Sequence, residues 1–338
     1  MKAMILPQCV SLDETDSPLE MVEMDCPQPT SHEVLIQVST CGVCHTELDE
    51  IEGRTAPPEF PMVLGHEIVG RIVEVGPAVE TFKVGDRVGV GWIHSSCGGD
   101  QENLSPEFRA TGRDAFGGYA EFTTVSEDYA YPIPEAFDDE QAAPLLCAGA
   151  IGYRALKLTN LENGQRLGLT GFGGSGHQVL QLARHLYPET KISVFARDDD
   201  ARKFARELGA TWAGDTADRA PDPLHAIIDT TPAWKPVVEA MKNLVPGGRL
   251  VINAIRKEAG DQEYLQNLNY HEDLWMEREI KSVANITAND IREFLPIAAE
   301  IPIQPTVEVY DLADANRAIM DLKHGPVRGA KVLRVSQS

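Results

Sequence analysis

Residues 41–50 read CGVCHTELDE and bring two cysteines, a histidine, a threonine and three acidic side chains into ten positions. A Cys-x-x-Cys pair is typical of two kinds of site, a thiol–disulfide redox couple or part of a zinc site. Thioredoxin-like redox pairs lie where a strand meets a helix, and no helix is predicted directly after Cys44. The residues of this segment alone leave both interpretations open.

Two further segments carry side chains that zinc accepts. His66 and Glu67 are adjacent in LGHEIVG, and Cys147 lies in the apolar run PLLCAG. A catalytic zinc ion takes three protein ligands and keeps a fourth position open. A single cysteine in an apolar segment is more often a small core residue than a ligand, and a single histidine is more often a hydrogen-bonded polar residue. Spacing along the chain does not by itself join these groups to Cys44.

A glycine pattern indicates a nucleotide site in the second half of the chain. Gly171, Gly173 and Gly176 form G-x-G-x-x-G, with Gly174 inside it, after an apolar strand and at the start of an amphipathic helix. This context is typical of the dinucleotide-binding turn, in which the first glycine allows a tight turn, the second lets the backbone approach a pyrophosphate and the third lets helix and strand pack closely. The free N–H groups of the helix N-terminus then face the phosphates.

The residues after the next strand bear on which nicotinamide cofactor is bound. In NAD-binding proteins an acid about 20 residues beyond the glycines bonds the ribose 2′-hydroxyl. Here Ala196 and Arg197 stand at that place, and Asp198, Asp199 and Asp200 follow. A guanidinium attracts a 2′-phosphate, and no carboxylate stands at the usual position to repel it, which favours NADP. Any of the three aspartates could serve the ribose instead, so NAD stays an alternative.

The predicted secondary structure that must position these groups differs between the first and second parts of the chain. Residues 1 to about 146 contain short β-branched strands separated by glycines and prolines, which indicates a barrel-like β unit. From about residue 148, short apolar strands alternate with helices, which indicates βαβ units and a parallel sheet. The tail returns to short strands. The predicted fold is therefore α/β, with one unit from residues 1–147 and 287–338 and a second from residues 148–286.

Composition limits the partners. The chain has 338 residues, 52 acidic against 30 basic, and a net charge of −22, which disfavours nucleic acid and anionic membranes as partners. No apolar run reaches the ~18 residues of a membrane span, and the N-terminus lacks the pattern of a signal peptide, so a cytoplasmic protein is expected. Its six cysteines are expected to be free thiols or metal ligands.

Five segments taken together resemble one family. They occur in the order and spacing of the zinc-dependent medium-chain alcohol dehydrogenases, over nearly the whole chain, and read CGVCHTELDEIEGR, PMVLGHEIVGRIVEVG, GDRVGVGWIHSSCG, APLLCAGAIGYRALK and GFGGSGH. The resemblance implies a GroES-like β-barrel catalytic domain plus a Rossmann domain with a doubly wound parallel sheet. It further implies that Cys44, His66 and Cys147 bind a catalytic zinc ion and that Cys41 does not.

The resemblance also assigns roles around the metal. Thr46 corresponds to the residue that hydrogen-bonds the substrate oxygen, Glu47 to the acid that orients a ligand imidazole, and Glu67 to a glutamate that approaches the metal when ligands exchange. The implied reaction is hydride transfer between an alcohol or aldehyde and a nicotinamide cofactor, with zinc polarising the substrate oxygen and Thr46 passing the hydroxyl proton outward. Asp49 takes the place of the histidine that continues this proton relay in many members. His45 and Arg328 correspond to basic residues near the cofactor pyrophosphate.

One segment departs from the family pattern. Many members hold a second, structural zinc with four cysteines in a lobe that follows W-x-H-x-x-CG. In this chain only Cys97 remains there, and Ser105 stands where a cysteine is usual. Because one thiolate cannot hold a tetrahedral structural site, we expect one zinc per chain and a lobe held in another way, such as an oligomer contact.

Two other functions stay open at this point. A zinc-free relative such as a quinone or enoyl reductase would lack the Cys44, His66 and Cys147 set, and a catalytically inactive cofactor-binding relative would keep the fold alone. The substrate is not specified by the sequence. Trp92, Trp275 and Ile255 are candidate pocket residues, although core packing explains the tryptophans equally well. Family habit suggests a homodimer or homotetramer.

Overall fold

The structure is a computed structural model that describes residues 1–301, 303, 305–325 and 329–336 of the chain. It divides into two compact units, Met1–Ala150 with Asn285–Ser338, and Ile151–Ala284. These boundaries differ by a few residues from those expected from the sequence. No helix in the described residues is long and apolar enough to cross a bilayer.

The helices and strands follow one another along the chain in three parts. The first part contains β1 (Lys2–Leu6), β2 (Glu20–Glu23), β3 (Glu33–Val43), α1 (His45–Ile51), β4 (Met62–Val63), β5 (Ile68–Val75), β6 (Arg87–Val90), β7 (Ile93–Ser95), β8 (Arg109–Ala110), β9 (Phe122–Ser126), β10 (Tyr131–Pro132), α2 (Asp139–Ala142) and α3 (Ala148–Leu158). The middle part contains β11 (Arg166–Thr170), α4 (Gly174–Leu186), β12 (Lys191–Phe195), α5 (Asp199–Glu207), β13 (Trp212–Gly214), β14 (Leu224–Asp229), α6 (Lys235–Met241), β15 (Leu244–Ile252) and β16 (Glu279–Ser282). The last part contains α7 (Ala288–Glu300), β17 (Val307–Asp311), α8 (Ala315–His324) and β18 (Ala330–Arg334).

The first unit is organised around the long strand β3. Its main sheet has the order β10-β6-β5-β3-β18-β17, and β9 also pairs with β3. The tail strand β18 pairs antiparallel with the end of β3, with Lys331 opposite Val43. The tail therefore completes the sheet whose central strand leads into the segment that begins at Cys44.

Two helices of the tail were missed by the sequence analysis, which predicted only short strands there. α7 begins at a capping box in which Thr287 and Asp290 exchange side-chain and backbone hydrogen bonds. Pro296 lies inside this helix, and a proline weakens a helical pattern because it removes one backbone donor.

The segment after Cys44 is helical, so the expectation that no helix follows it was wrong. The Cys44 backbone N–H donates to Glu47 Oε2 at 2.7 Å, which caps the start of α1. All residues from Thr46 to Ile51 are buried, including three acidic ones. The helix therefore has no polar outer face from which a helical period could be recognised.

The second unit contains a parallel sheet in the order β13-β12-β11-β14-β15-β16. This is the 3-2-1-4-5-6 order of the Rossmann fold, which confirms the predicted doubly wound sheet. Its central strands are apolar runs, and Leu167, Leu169, Ile227 and Ile228 are fully buried, as expected for strands covered by helices on both faces.

The glycine turn joins β11 to α4. Gly171 has a φ of +79°, a conformation that side chains rarely adopt. A Cβ on Gly176 would lie 2.8 Å from the Gly171 carbonyl oxygen, whereas no described atom lies within 4 Å of a Cβ placed on Gly173. Gly171 and Gly176 therefore pack closely together, whereas Gly173 has space beside it among the described atoms. α4 begins at Gly174.

Candidate metal centre

Four metal-binding side chains converge in the first unit. The donor atoms of Cys44, His66, Glu67 and Cys147 all lie within 4.8 Å of one another. The two Sγ atoms are 3.8 Å apart, and His66 Nε2 lies 3.3 Å from Cys147 Sγ. A tetrahedral zinc ion with Zn–S of about 2.3 Å and Zn–N of about 2.0 Å separates its donor atoms by about 3.5–3.8 Å. The two thiols and the imidazole therefore fit a zinc ion.

Three separate segments deliver these donors. Cys44 is the N-cap residue of α1. His66 and Glu67 come directly before β5. Cys147 follows the 3₁₀ turn Ala143–Leu146 and precedes α3. Because the three segments are far apart in sequence, their spacing could not reveal that they meet.

The imidazole of His66 is oriented by a carboxylate. Its Nδ1 lies 2.7 Å from Glu47 Oε1, and both side chains are buried. At this ion-pair distance the carboxylate favours a proton on Nδ1, which would leave Nε2 free to bind a metal. Burial alone lowers the pKa of His66, but the Glu47 carboxylate outweighs it and raises the pKa well above its usual value. A cation held by Nε2 would displace the proton from that nitrogen.

The two cysteines are placed to share a proton. The hydrogen bond from Cys147 lowers the pKa of the Cys44 thiol well below its usual value, against the effect of burial. The same bond, together with burial, raises the pKa of Cys147 well above its usual value. A thiolate next to a thiol is ready to bind a cation, which releases the remaining proton.

Glu67 lies against the backbone of β3. A Cβ placed on Gly42 would lie 1.8 Å from Glu67 Oε2, so only glycine leaves room for this carboxylate. Burial raises the pKa of Glu67 well above its usual value, and the Cys44 thiolate adds to the effect. The side chain is therefore a fourth donor beside the two thiols and the imidazole.

The side chains assigned to proton transfer lie on α1. Thr46 Oγ1 is 3.6 Å from Cys44 Sγ, and the residue is buried. Asp49 lies one turn further on, also buried, and accepts a hydrogen bond from Arg54 Nε. Arg54 also pairs with Glu52 at 2.8 Å. His45 is exposed at the start of the helix.

Cys41 lies in β3 and is fully buried. Cβ atoms placed on Gly65 and Gly118 would each lie 2.8 Å from its Sγ. Burial raises the pKa of this thiol well above its usual value. A buried, protonated thiol is a poor redox nucleophile, so burial, not the lack of a helix, argues against a redox couple with Cys44.

Sequence analysis missed two buried groups beside the metal centre. Glu50 on α1 is fully buried, and neither carboxylate oxygen has a hydrogen-bond partner among the described residues. Burial, and then the charge of Glu47, raises its pKa well above the usual value. The hydroxyl of Tyr119 is also buried without a partner in the described part of the chain. Glu50 could not be recognised as buried from the sequence, because an acidic residue close to other acidic residues is typical of a solvent-exposed surface.

An aromatic wall adjoins the ligand imidazole. The Trp92 ring centroid lies 6.1 Å from that of His66 and 5.8 Å from that of Phe108. Trp275 and Ile255, the other two pocket candidates, belong to the second unit and are 56% and 48% exposed. Trp92 is therefore the pocket candidate that the structure places beside a metal ligand.

The lobe of residues 92–112 is anchored by a carboxylate that sequence analysis also missed. The buried Glu102 accepts hydrogen bonds from the Tyr129 hydroxyl at 2.9 Å and from the Ala288 N–H at 2.6 Å. Ser96 donates its backbone N–H to the Tyr129 oxygen and its hydroxyl to the Glu102 carbonyl. Cys97 is exposed. Hydrogen bonds within the chain thus anchor the lobe, and the oligomer contact suggested for it stays a prediction.

The predicted cofactor residues follow β12. Ala196 is buried, and Arg197 is exposed, with no partner for its guanidinium among the described residues. Asp198 accepts a hydrogen bond from the Ala201 N–H and caps α5, and Asp199 pairs with Arg202. Two of the three aspartates are thus engaged within the helix. Arg328 lies outside the described residues.

Comparison with known proteins places the chain in a family. The alcohol dehydrogenase GroES-like domain matches residues 30–135. A probable alcohol dehydrogenase, AdhA, of Mycobacterium tuberculosis is 44% identical over 94% of this chain and 93% of its own length. An alcohol dehydrogenase of Geobacillus stearothermophilus is 32% identical over 96% of this chain and 98% of its own length. The structure of a cinnamyl alcohol dehydrogenase from Sorghum bicolor superposes with a TM-score of 0.81 at 26% identity, covering 100% of this chain and 98% of that one. The chain belongs to the zinc-dependent medium-chain alcohol dehydrogenases, with a GroES-like domain and a Rossmann domain.

Proposed function

We propose that this protein interconverts an alcohol and its aldehyde or ketone by hydride transfer with a nicotinamide cofactor, at a single zinc site made by Cys44, His66 and Cys147. The observation that carries the proposal is the separation of the donor atoms, 3.8 Å between the thiols and 3.3 Å from thiol to imidazole. A zinc ion held there would supply Lewis-acid polarisation of the substrate oxygen.

In this proposal, residues of α1 carry the proton away from the substrate hydroxyl. Thr46 Oγ1 lies beside the ligand Cys44 and is placed to accept a hydrogen bond from a substrate hydroxyl. Asp49 follows one helical turn later, on the same face. Its carboxylate is held by Arg54, whose other partner is Glu52. We assign the next step of proton transfer to Asp49 in place of a histidine.

The decisive experiment measures NAD(P)H consumption with a panel of aldehydes before and after treatment with a strong chelator. We expect the activity to disappear on chelation and to return with added zinc. The matched control is Cys97→Ser, which removes an exposed thiol outside the metal centre and should keep full activity. Activity that persists in the chelated enzyme would contradict the zinc mechanism.

The favoured cofactor is NADP. Its support is the exposed guanidinium of Arg197 just after β12, which has no partner among the described residues, and the engagement of Asp198 and Asp199 within α5. A charge-assisted bond to the 2′-phosphate is worth about 1.5–3 kcal/mol, or roughly 10–100-fold in affinity.

The cofactor assignment is tested by the dissociation constants of NADPH and NADH. In the wild type NADPH should bind more tightly, and Arg197→Asp should reverse or abolish that preference. Lys191→Asp is the matched control, since Lys191 is exposed at the opposite end of the same strand. A wild type that prefers NADH would make the Arg197 assignment wrong.

We propose that the family habit of forming dimers or tetramers depends, in this chain, on an edge strand of the second unit. β16 is an edge strand with all four residues exposed. Antiparallel pairing with a second copy about Ile280 would place Glu279 opposite Lys281 in both directions. We propose a homodimer that forms through this edge, with a homotetramer as the alternative. We also propose that the enzyme is cytoplasmic. Ile280→Lys should reduce the mass measured by light scattering to that of a monomer, and an unchanged mass would contradict this interface.

A further inference from the structure

The Rossmann sheet has one place where its strand order reverses. β11 and β14 are neighbours there, and their last residues, Thr170 and Asp229, lie opposite each other. In open parallel sheets the ligand crevice opens beyond the carboxyl ends of the strands at this switch point. Side chains that connect the two strand ends therefore form the floor of the dinucleotide site.

A buried ion pair occupies this floor. Asp229 is fully buried and pairs with Lys257, whose side chain is 9% exposed. Lys257 Nζ also donates to the carbonyl oxygens of Thr231 at 2.7 Å and Ala233 at 3.0 Å. The three N–H bonds of the ammonium thus have three acceptors, so the hydrogen-bonding capacity of this buried group is satisfied.

Hydroxyl groups extend this network to the glycine turn. The Thr170 and Thr231 hydroxyls both donate to Asp229 Oδ1, Thr231 at 2.8 Å. The Thr230 hydroxyl donates to the Thr170 carbonyl at 3.0 Å. A Cβ placed on Gly171 would lie 2.8 Å from both Thr230 Oγ1 and Thr231 Cγ2. The loop after β14 therefore packs directly against the turn that faces the pyrophosphate.

The loop after β14 is tied a second time to the segment that carries Lys257. The Glu258 N–H donates to the Pro232 carbonyl at 2.7 Å. The N–H groups of Trp234 and Lys235 donate to the Asp261 carboxylate at 2.9 and 2.8 Å. Three loops at the carboxyl edge, after β11, β14 and β15, are thus joined through one lysine and its neighbours.

We propose that Lys257 is a positioning residue for cofactor binding, because its pairing with Asp229 holds the loops after β11, β14 and β15 in the conformation that receives the dinucleotide. It acts through Asp229 and the loop carbonyls and does not touch the 2′-phosphate. NADH and NADPH therefore lose affinity equally when it is removed. The inference rests on the proposed use of a nicotinamide cofactor.

The test is Lys257→Met in the full-length, zinc-loaded enzyme, with dissociation constants for NADH and NADPH from cofactor fluorescence. We expect both constants to rise about tenfold if the competent loop conformation falls to about a tenth of the population. Their ratio and the zinc content should not change. The matched control is Lys242→Met. Lys242 pairs with the buried Glu239 at 2.8 Å but precedes β15, at the amino edge of the sheet. This control should bind both cofactors as the wild type does.

A double variant separates positioning from global stability. Asp229→Leu with Lys257→Met replaces the ion pair by apolar groups, which is often neutral or stabilising for a buried pair. We expect part of the thermal stability lost in Lys257→Met to be regained, because the unpaired Asp229 carboxylate is removed although the Thr170 and Thr231 hydroxyls lose their acceptor, while both cofactor constants stay raised. Cofactor affinity that returns together with stability, or a Lys257→Met enzyme that binds as tightly as the wild type, would overturn the inference. A wild type that binds neither cofactor would refute the proposed function instead.

Discussion

The metal centre and the lobe of residues 92–112 both lie in segments that leave the strands of the first unit, and both bury polar groups. At the metal centre the buried donors face one another: two thiols lie 3.8 Å apart and an imidazole lies 3.3 Å from one of them. In the lobe the carboxylate of Glu102 has two donors, the Tyr129 hydroxyl and the Ala288 N–H. The first region brings together donors that could hold a cation, whereas in the second the carboxylate is paired by hydrogen bonds within the chain.

Under the proposed single zinc site, this difference accounts for a lobe that is anchored although it contains only one cysteine. Buried polar groups must be paired by something, either an ion or a hydrogen-bond partner. Glu102 and Tyr129 supply the partners in the lobe, and Cys97 stays exposed. Substitutions in each region should therefore have different consequences for zinc binding and for stability.

The largest effect is expected at the metal centre. Cys44→Ser removes a thiolate whose pKa is lowered by its hydrogen bond to Cys147. Zinc should be lost, and turnover should fall by roughly 10³-fold or more, since Lewis-acid stabilisation is worth several kcal/mol. Zinc content and the rate of aldehyde reduction measure this. A variant that keeps zinc and activity would place the metal elsewhere.

In the lobe, the corresponding change is Glu102→Ala. It leaves the Tyr129 hydroxyl and the Ala288 N–H without their partner, and the free energy of unfolding should fall by about 2–4 kcal/mol. Urea denaturation measures the loss. Glu107→Ala, an exposed acid of the same lobe, should change stability little. Zinc content should be unchanged in both variants, and zinc loss in Glu102→Ala would show that the two regions are coupled.

A smaller effect is expected for the acid behind the imidazole. Glu47→Gln weakens the interaction at 2.7 Å that fixes His66. Zinc affinity should fall about 10–100-fold, as for other partners of metal-bound histidines. Competition with a chelating dye gives the constant. An unchanged affinity would mean that packing alone orients the imidazole.

The smallest effect concerns Glu50 and depends on pH. Its pKa in the folded protein is raised, by burial first, so ionisation favours the unfolded state once the pH exceeds the ordinary value of about 4.3. Glu50→Gln should therefore stabilise the protein by about 1–3 kcal/mol near pH 8 and have little effect near pH 4.

A carboxyl with the opposite shift gives the control for Glu50. Although burial raises the pKa of Glu52, its bonds to Lys323 and Arg54 outweigh this and lower it. Its ionised form stabilises the folded state above about pH 4.3, and Glu52→Gln should destabilise at neutral pH. Thermal unfolding between about pH 4 and pH 8 would show the two opposite trends, and parallel trends would contradict the assignment.

The fold could be predicted from the sequence where the pattern is periodic or punctuated. The strand–glycine–helix segment at residues 166–186 predicted the Rossmann sheet because its strand is an apolar run and its helix is amphipathic. α1 could not be predicted, because its acidic residues point inward and carry no helical period. The two tail helices were also missed, and Pro296 weakens the pattern of the first.

The site was predictable only as far as the family resemblance reached. The meeting of Cys44, His66 and Cys147 depends on three distant segments, which spacing cannot join. Glu102, Glu50 and the Asp229–Lys257 pair carry no local motif, because a buried acid looks like a surface acid until its partners are known. The roles of these groups follow only from their burial and hydrogen bonds in the folded chain.

The most direct measurement of the central claim is the zinc content of the purified wild-type enzyme, combined with X-ray absorption at the zinc edge. We predict one zinc per chain, with two sulfur ligands and one imidazole nitrogen. Cys97→Ser should give the same result. Two zinc ions per chain, or a zinc environment of four sulfur atoms, would contradict the single site at Cys44, His66 and Cys147.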